Sequence, residues 1–189
     1  MCIRDRVYPA DFSTWVDETA LTPGLCGASR PGHFRGVTTV VAKLFNLVQP
    51  DTAVFGRKDW QQLAVIRRMV RDLNFPIRIV GVPTVRESDG LALSSRNQYL
   101  APAERAEAPK IYAALAAARR RAADGEKRPA VLLRETRRRL AGIVGGELDY
   151  LELVDAETLA PVRRIERPAT LAVAFQFGGA RLIDNVQLK

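Results

Sequence analysis

Apolar residues recur at helical spacing over the first strongly patterned segment. Val37, Val40, Val41, Leu44, Phe45 and Val48 share one face, and Pro50 closes the run. The spacing predicts an amphipathic helix over 37–48. Residues 51–55 follow as a short apolar run ending at Gly56. Leu63, Ile66, Met69, Val70 and Leu73 then restore the helical period until Asn74, Phe75 and Pro76 stop it. Residues 77–82 are rich in β-branched side chains and sit between Pro76 and Pro83, so both short runs read as buried strands. The order helix, strand, helix, strand is that of a parallel sheet with right-handed crossovers. In such sheets ligands collect at the carboxyl ends of the strands.

After Val85 the pattern changes. A polar turn at 87–90 leads to an Ala- and Arg-rich helix over 102–123 and a further helix over 129–143. Residues 148–154 alternate as a strand does, 170–177 form a strong apolar strand, and Gly178 and Gly179 make a hairpin turn into 181–183. This predicts a second, smaller α+β unit. There is no internal repeat.

With 189 residues, 47% hydrophobic and 26% charged, the chain can bury a real core, which excludes intrinsic disorder. No apolar run approaches the roughly 18 to 20 residues of a membrane span, so no membrane partner is expected. Cys2 and Cys26 cannot form a disulfide framework or a four-thiolate zinc site, which points to a reducing compartment and a cytoplasmic location. The net charge of +8 favours anionic partners. Arg119 to Arg121 and Arg137 to Arg139 raise the alternative of a nucleic-acid-binding module. Glu126 and Glu135 beside them favour a solvated basic face and no nucleic-acid partner. Residues 1–6 are neither a secretory signal nor a transit peptide, and Val7 onward reads like the interior of a domain. They are read as a non-native remnant joined to an open fragment, the alternative being a natural disordered start.

Three segments hold candidate chemistry. Gly56, Arg57, Lys58, Asp59, Trp60, Gln61 and Gln62 lie where a strand passes into a helix. Free backbone N–H groups, the helix dipole and the Lys58 ammonium could hold a phosphate there. Asp59 could orient Lys58 or cap the helix, and Gln62, one turn on, could hydrogen-bond a hydroxy acid. The alternative is a capped helix with a solvated lysine. In the second loop, over 88–97, Ser94, Ser95 and Arg96 suit polyphosphate oxygens, the alternative being a polar linker. Two such loops at one sheet edge imply one nucleotide lying across it. In the third, a glycine-bearing turn over 27–36, Arg30 and His33 could face an anion, or His33 could be structural. Neither a Walker loop nor a complete dinucleotide fingerprint is present.

The blocks at 28–41, 56–62, 82–86, 89–97 and 180–185, in order and well separated, resemble the pantothenate synthetase family, with similarity from about Val7 to the end. That resemblance implies a partial Rossmann-like nucleotidyltransferase domain with a parallel sheet over 7–84, an α+β lid domain over 85–189, and a homodimer. It implies condensation of pantoate with β-alanine, driven by Mg²⁺ and ATP through a pantoyl-adenylate, with release of AMP and pyrophosphate. By matching position, Gly56, Arg57, Lys58 and Asp59 line the ATP site, Val85 touches the adenosine, and Leu93, Ser94, Ser95 and Arg96 complete a phosphate clamp. Lys58 and Arg96 stabilise transition-state charge, and Gln62 contacts pantoate; Arg30 and His33 are further substrate-binding candidates. The family usually has Glu at position 57 and often Met at 93. Its His-x-Gly-His motif has no match here, His33 being the only histidine. The expectation is therefore an N-terminally truncated ligase, with an inert fragment as the alternative and no measurable turnover.

Overall fold

The computed structural model describes residues 7–189, so the expected remnant at 1–6 lies outside the described residues. The chain packs as two units. Of the described residues, the first comprises 7–55 and 61–81, and the second 56–60 and 82–189. The boundary drawn from the sequence at 84/85 and the one drawn by packing differ chiefly in the short segment 56–60.

In the first unit, helix α1 (Cys26–Ser29) is followed by α2 (His33–Val48), β1 (Thr52–Gly56), α3 (Trp60–Asp72) and β2 (Arg78–Val82), the two strands forming a parallel pair. Helix α2 starts four residues before the apolar period does. Gly32 at φ +76° turns the chain into it, and Gln49, left-handed at φ +51°, ends it before Pro50. The core is built from Ala42 and Phe45 of α2, Ile66 and Met69 of α3, the strand residues Ala53, Phe55 and Ile79, and Ile77 just ahead of β2. Phe45 meets Phe75 edge to face at 5.7 Å. The strands are not buried on both faces as expected. In β1 the side chains alternate, so Ala53 and Phe55 pack inward while Val54 between them is 59% exposed, and β2 is half-buried at its centre and exposed at both ends. Apolar composition without alternation led to the overestimate.

The second unit contains α4 (Pro102–Glu107), α5 (Pro109–Ala123), α6 (Pro129–Leu140) and an antiparallel meander of β3 (Gly146–Asp155), β4 (Ala169–Phe177) and β5 (Ala180–Leu188). The single helix expected over 102–123 is two. Pro109 has no N–H to continue the ladder, and the chain restarts there. The Gly178–Gly179 hairpin joins β4 to β5 in the register Phe177↔Ala180 and Val173↔Asp184. Every β4 residue except Gln176 is buried, as befits a central strand. Leu115 of α5 and Leu132 and Leu140 of α6 pack with Leu171, Val173, Phe175 and Phe177 into one core. The arginines at 119–121 and 137–139 are exposed, with Arg121 paired to Glu135 at 3.1 Å.

Candidate functional site

Strand β5 is the platform of the site. The 3₁₀ turn Arg57–Asp59 and a second 3₁₀ turn, Ser95–Tyr99, both pack against it within the second unit. The two loops singled out in the sequence are thus brought together, and the element joining them is an antiparallel strand from the far end of the chain. Lys58, Ser94 and Asn97 line a slot with Leu91, Ile111 and Asp184. Its free volume is about 10 Å³, room for about one water, so a larger ligand would lie across its rim.

Neither Lys58 nor Arg96 is in an ion pair among the described residues. Lys58 is half-buried and Arg96 exposed. Ser94 caps its turn, its Oγ accepting from the Arg96 N–H at 3.2 Å, and Ser95 is exposed. Leu93 N–H donates to the Val85 carbonyl at 2.9 Å, which sets their side chains, 58% and 66% exposed, at neighbouring positions. Asp59 is half-buried in the first turn. Trp60 fastens the same turn from the other side, its indole N–H donating to the Ala156 carbonyl at 3.0 Å.

The second loop is bracketed by charge. Arg105 binds Glu87 and Asp89 at 2.6 Å each, and Asn97 donates to Glu87 at 2.9 Å. The Asn97 amide and then Arg105 hold the Glu87 carboxyl below its ordinary range. The Leu91 N–H and then Arg105 do the same for Asp89. Asn97 Oδ1 is buried without a hydrogen-bond partner among the described residues, a free acceptor beside the slot. Gly90 makes the tight reversal possible. It sits at φ +93°, and a Cβ there would lie 2.9 Å from the Tyr112 ring.

Beneath the loops lies a set of residues that the reading of individual loops missed. Arg86 grips Asp184 in two parallel bonds of 2.6 and 2.9 Å, donates to the Gly90 carbonyl at 3.1 Å, and stacks on Tyr112 at 3.5 Å. Asp184 is only 6% exposed. Asp184 and Asn185, set side by side between the apolar Leu182, Ile183 and Val186, were the available signal, because an Asp buried there needs a partner.

The remaining candidates lie in the first unit. Gln62 is half-buried on α3. Its neighbour Gln61 is buried and structural, accepting from Cys26 N–H at 3.0 Å and donating to the Leu21 and Gly24 carbonyls at 2.9 and 2.8 Å. Arg30 meets His33 across a single turn, Nη1 to Nε2 at 3.0 Å, on the surface. Arg30 also lines a shallow cleft with Asp17 and Arg35.

Residues 3–187 match the family model of pantoate-β-alanine ligase. The chain belongs to this family. It is 56% identical to the pantothenate synthetase of Geobacter sulfurreducens over 97% of its own length and 65% of that relative's. It is 61% identical to that of Anaeromyxobacter dehalogenans over 96% and 63%. The chain therefore spans just under two thirds of the length of these relatives. The solved pantothenate synthetase of Thermus thermophilus superposes with a TM-score of 0.92 at 53% identity, covering 97% of this chain and 66% of that one. The pantoate-β-alanine ligase of Francisella tularensis, solved with beta-gamma ATP and β-alanine, gives 0.70 at 30% identity over 96% and 61%. The mixed α/β architecture, a parallel sheet with a separate antiparallel one, is thus that of a ligase family.

Proposed function

We propose that this chain binds ATP at the rim of the slot on β5 and serves the condensation of pantoate with β-alanine. The observation that carries this reading is the convergence of Lys58 and Ser94 on one slot, with Lys58 and Arg96 unengaged by any carboxylate among the described residues. Two uncommitted cations and a serine hydroxyl suit a polyphosphate, and family membership supplies the reaction class. The exposed pair Val85 and Leu93 offers an apolar surface to a flat base.

In this reading pantoate's carboxylate oxygen attacks the α-phosphorus, pyrophosphate leaves, and Lys58 and Arg96 stabilise charge moving onto the leaving group. The β-alanine amine then attacks the acyl carbon, the C–O bond to AMP breaks, and the amine proton passes to solvent. Gln62 hydrogen-bonds pantoate, with Arg30 and His33 as further anion contacts. Gly56, Arg57, Asp59 and Ser95 contribute backbone or hydroxyl donors to the phosphates. Mg²⁺ enters as the partner of the nucleotide's phosphate oxygens. Among the described residues there is no cluster of three His, Cys, Asp or Glu that could hold a metal ion. The reading includes a cytoplasmic homodimer. No described helix is long and apolar enough to cross a membrane.

The test is calorimetric titration of Mg-ATP into the wild-type chain and Lys58→Ala, with pyrophosphate release measured alongside. Lys58→Ala should weaken ATP at least about tenfold, the loss of one charge-assisted phosphate contact. Equal affinities would remove Lys58 from the nucleotide site. Binding without pyrophosphate release would assign this chain a binding role alone.

A further inference from the structure

The turn that carries Lys58 has little support of its own. No side chain caps it, and it begins at a glycine. Beyond the Trp60 anchor, its carbonyls are held from β5. Asn185 Nδ2 lies 2.9 Å from the Arg57 carbonyl oxygen and 2.8 Å from that of Lys58. Both neighbours can only accept, so the amide nitrogen faces them and spends both protons on consecutive carbonyls. Asn185 is itself held. Its N–H donates at 2.7 Å to Asp184 Oδ1, and Asp184 is the carboxylate gripped by Arg86. Its side-chain oxygen faces Gln187 Nε2 at 3.5 Å. Strand register places Asn185 opposite Ala172 on the central strand, which fixes its backbone.

We propose that Asn185 is a positioning residue for Lys58: its carboxamide locks the carbonyls of residues 57 and 58 and so sets the direction in which the ammonium points. This rests on the nucleotide reading given above. Two consecutive carbonyls held by one rigid donor pair define the orientation of the two peptides, 57–58 and 58–59, that flank the Lys58 Cα. Rotation of either peptide would swing the lysine stem away from the slot. Asp at 185 has the same shape but no protons to give, and would set a carboxylate against two carbonyl oxygens.

The test is a double-mutant cycle on Mg-ATP affinity, measured by calorimetry on the wild-type chain, Asn185→Ala, Lys58→Ala and the double variant, with folding checked by circular dichroism. If Asn185 acts through Lys58, Asn185→Ala weakens ATP about tenfold in the wild-type background and less than about twofold when Lys58 is already Ala. A merely structural role would give the same loss in both backgrounds and would overturn the proposal, as would an Asn185→Ala chain that binds ATP like wild type. Should Asn185→Ala fail to fold, the cycle is run with the isosteric Asn185→Asp, for which the same outcomes decide. A wild-type chain that takes up no ATP overturns the nucleotide reading and this role with it. Loss in Lys58→Ala but not in the 185 variant overturns the positioning role alone.

Discussion

Replacing Arg86 by Met should destabilise the second unit by about 4 kcal/mol. Asp184, 6% exposed, would lose both bonds from the guanidinium and keep only the Asn185 N–H. Stranding a buried charge in this way costs roughly 3 to 5 kcal/mol. Loss of the stack on Tyr112 at 3.5 Å adds about 1 kcal/mol, part of which the methionine restores by packing on the ring. Against a total stability of about 5 to 15 kcal/mol this is a large fraction. Urea unfolding followed by Trp60 emission, in a Trp15→Phe background, reads the transition of this unit. With a slope of about 2 kcal/mol per molar the midpoint should fall by about 2 M. Adding Asp184→Asn removes the stranded charge while leaving an oxygen to accept from Asn185, so the pair Arg86→Met with Asp184→Asn should recover more than half of the loss. A single variant within about 1 kcal/mol of wild type, or a double variant as unstable as the sum of the singles, would refute the account of a buried, mutually dependent pair.

The adjacent glutamines should separate cleanly. Gln61→Ala removes three hydrogen bonds, two of them buried, and should cost about 2 to 4 kcal/mol in urea unfolding, and unchanged stability would refute its structural role. Gln62→Ala should weaken pantoate more than ATP in paired titrations, and equal losses would place that side chain elsewhere. Glu126, bonded by the Arg128 guanidinium and backbone N–H, is held down at about 2. A depressed carboxylate stabilises the fold above its unfolded value near 4.5, and that contribution is lost as pH falls from there to about 2. Arg128→Ala should move its titration partway back up in a carbon-13 carboxyl experiment, the backbone bond persisting; a value still near 2 would contradict the assignment of cause.

The helices and the hairpin were legible because each has a local cause. The period of Val37 to Val48 marks α2, and two glycines mark the turn between β4 and β5. Apart from the helix break at Pro109, which is local, what was misread has causes that are not. Strand β5 runs Ala180–Leu188, well beyond the expected 181–183, because Asp184, Asn185 and Gln187 look like loop residues until their partners Arg86, Arg57, Lys58 and Thr170 are known. Val54 looked buried because hydrophobicity alone does not say which face a strand covers. The loops at 56–60 and 93–97 were recognisable as phosphate candidates from residue type. Their common platform was not, since the residue that holds the first is separated from it by 127 positions.

That separation has a consequence for how the site comes into being. Local forces can curl residues 57–59 into a turn, but the bonds to their carbonyls require β5 to be paired with β4. Contacts this remote in sequence carry a loop-closure cost and are reached late in folding. During synthesis the lysine emerges long before the strand that holds its turn, so a chain released early would carry every residue of the first loop and still lack its hold. The same order runs backward on unfolding. Among the described residues β5 is paired on one side only, and if it frays from β4 the hold on Lys58 loosens while the helices and the β3–β4 pair can still stand.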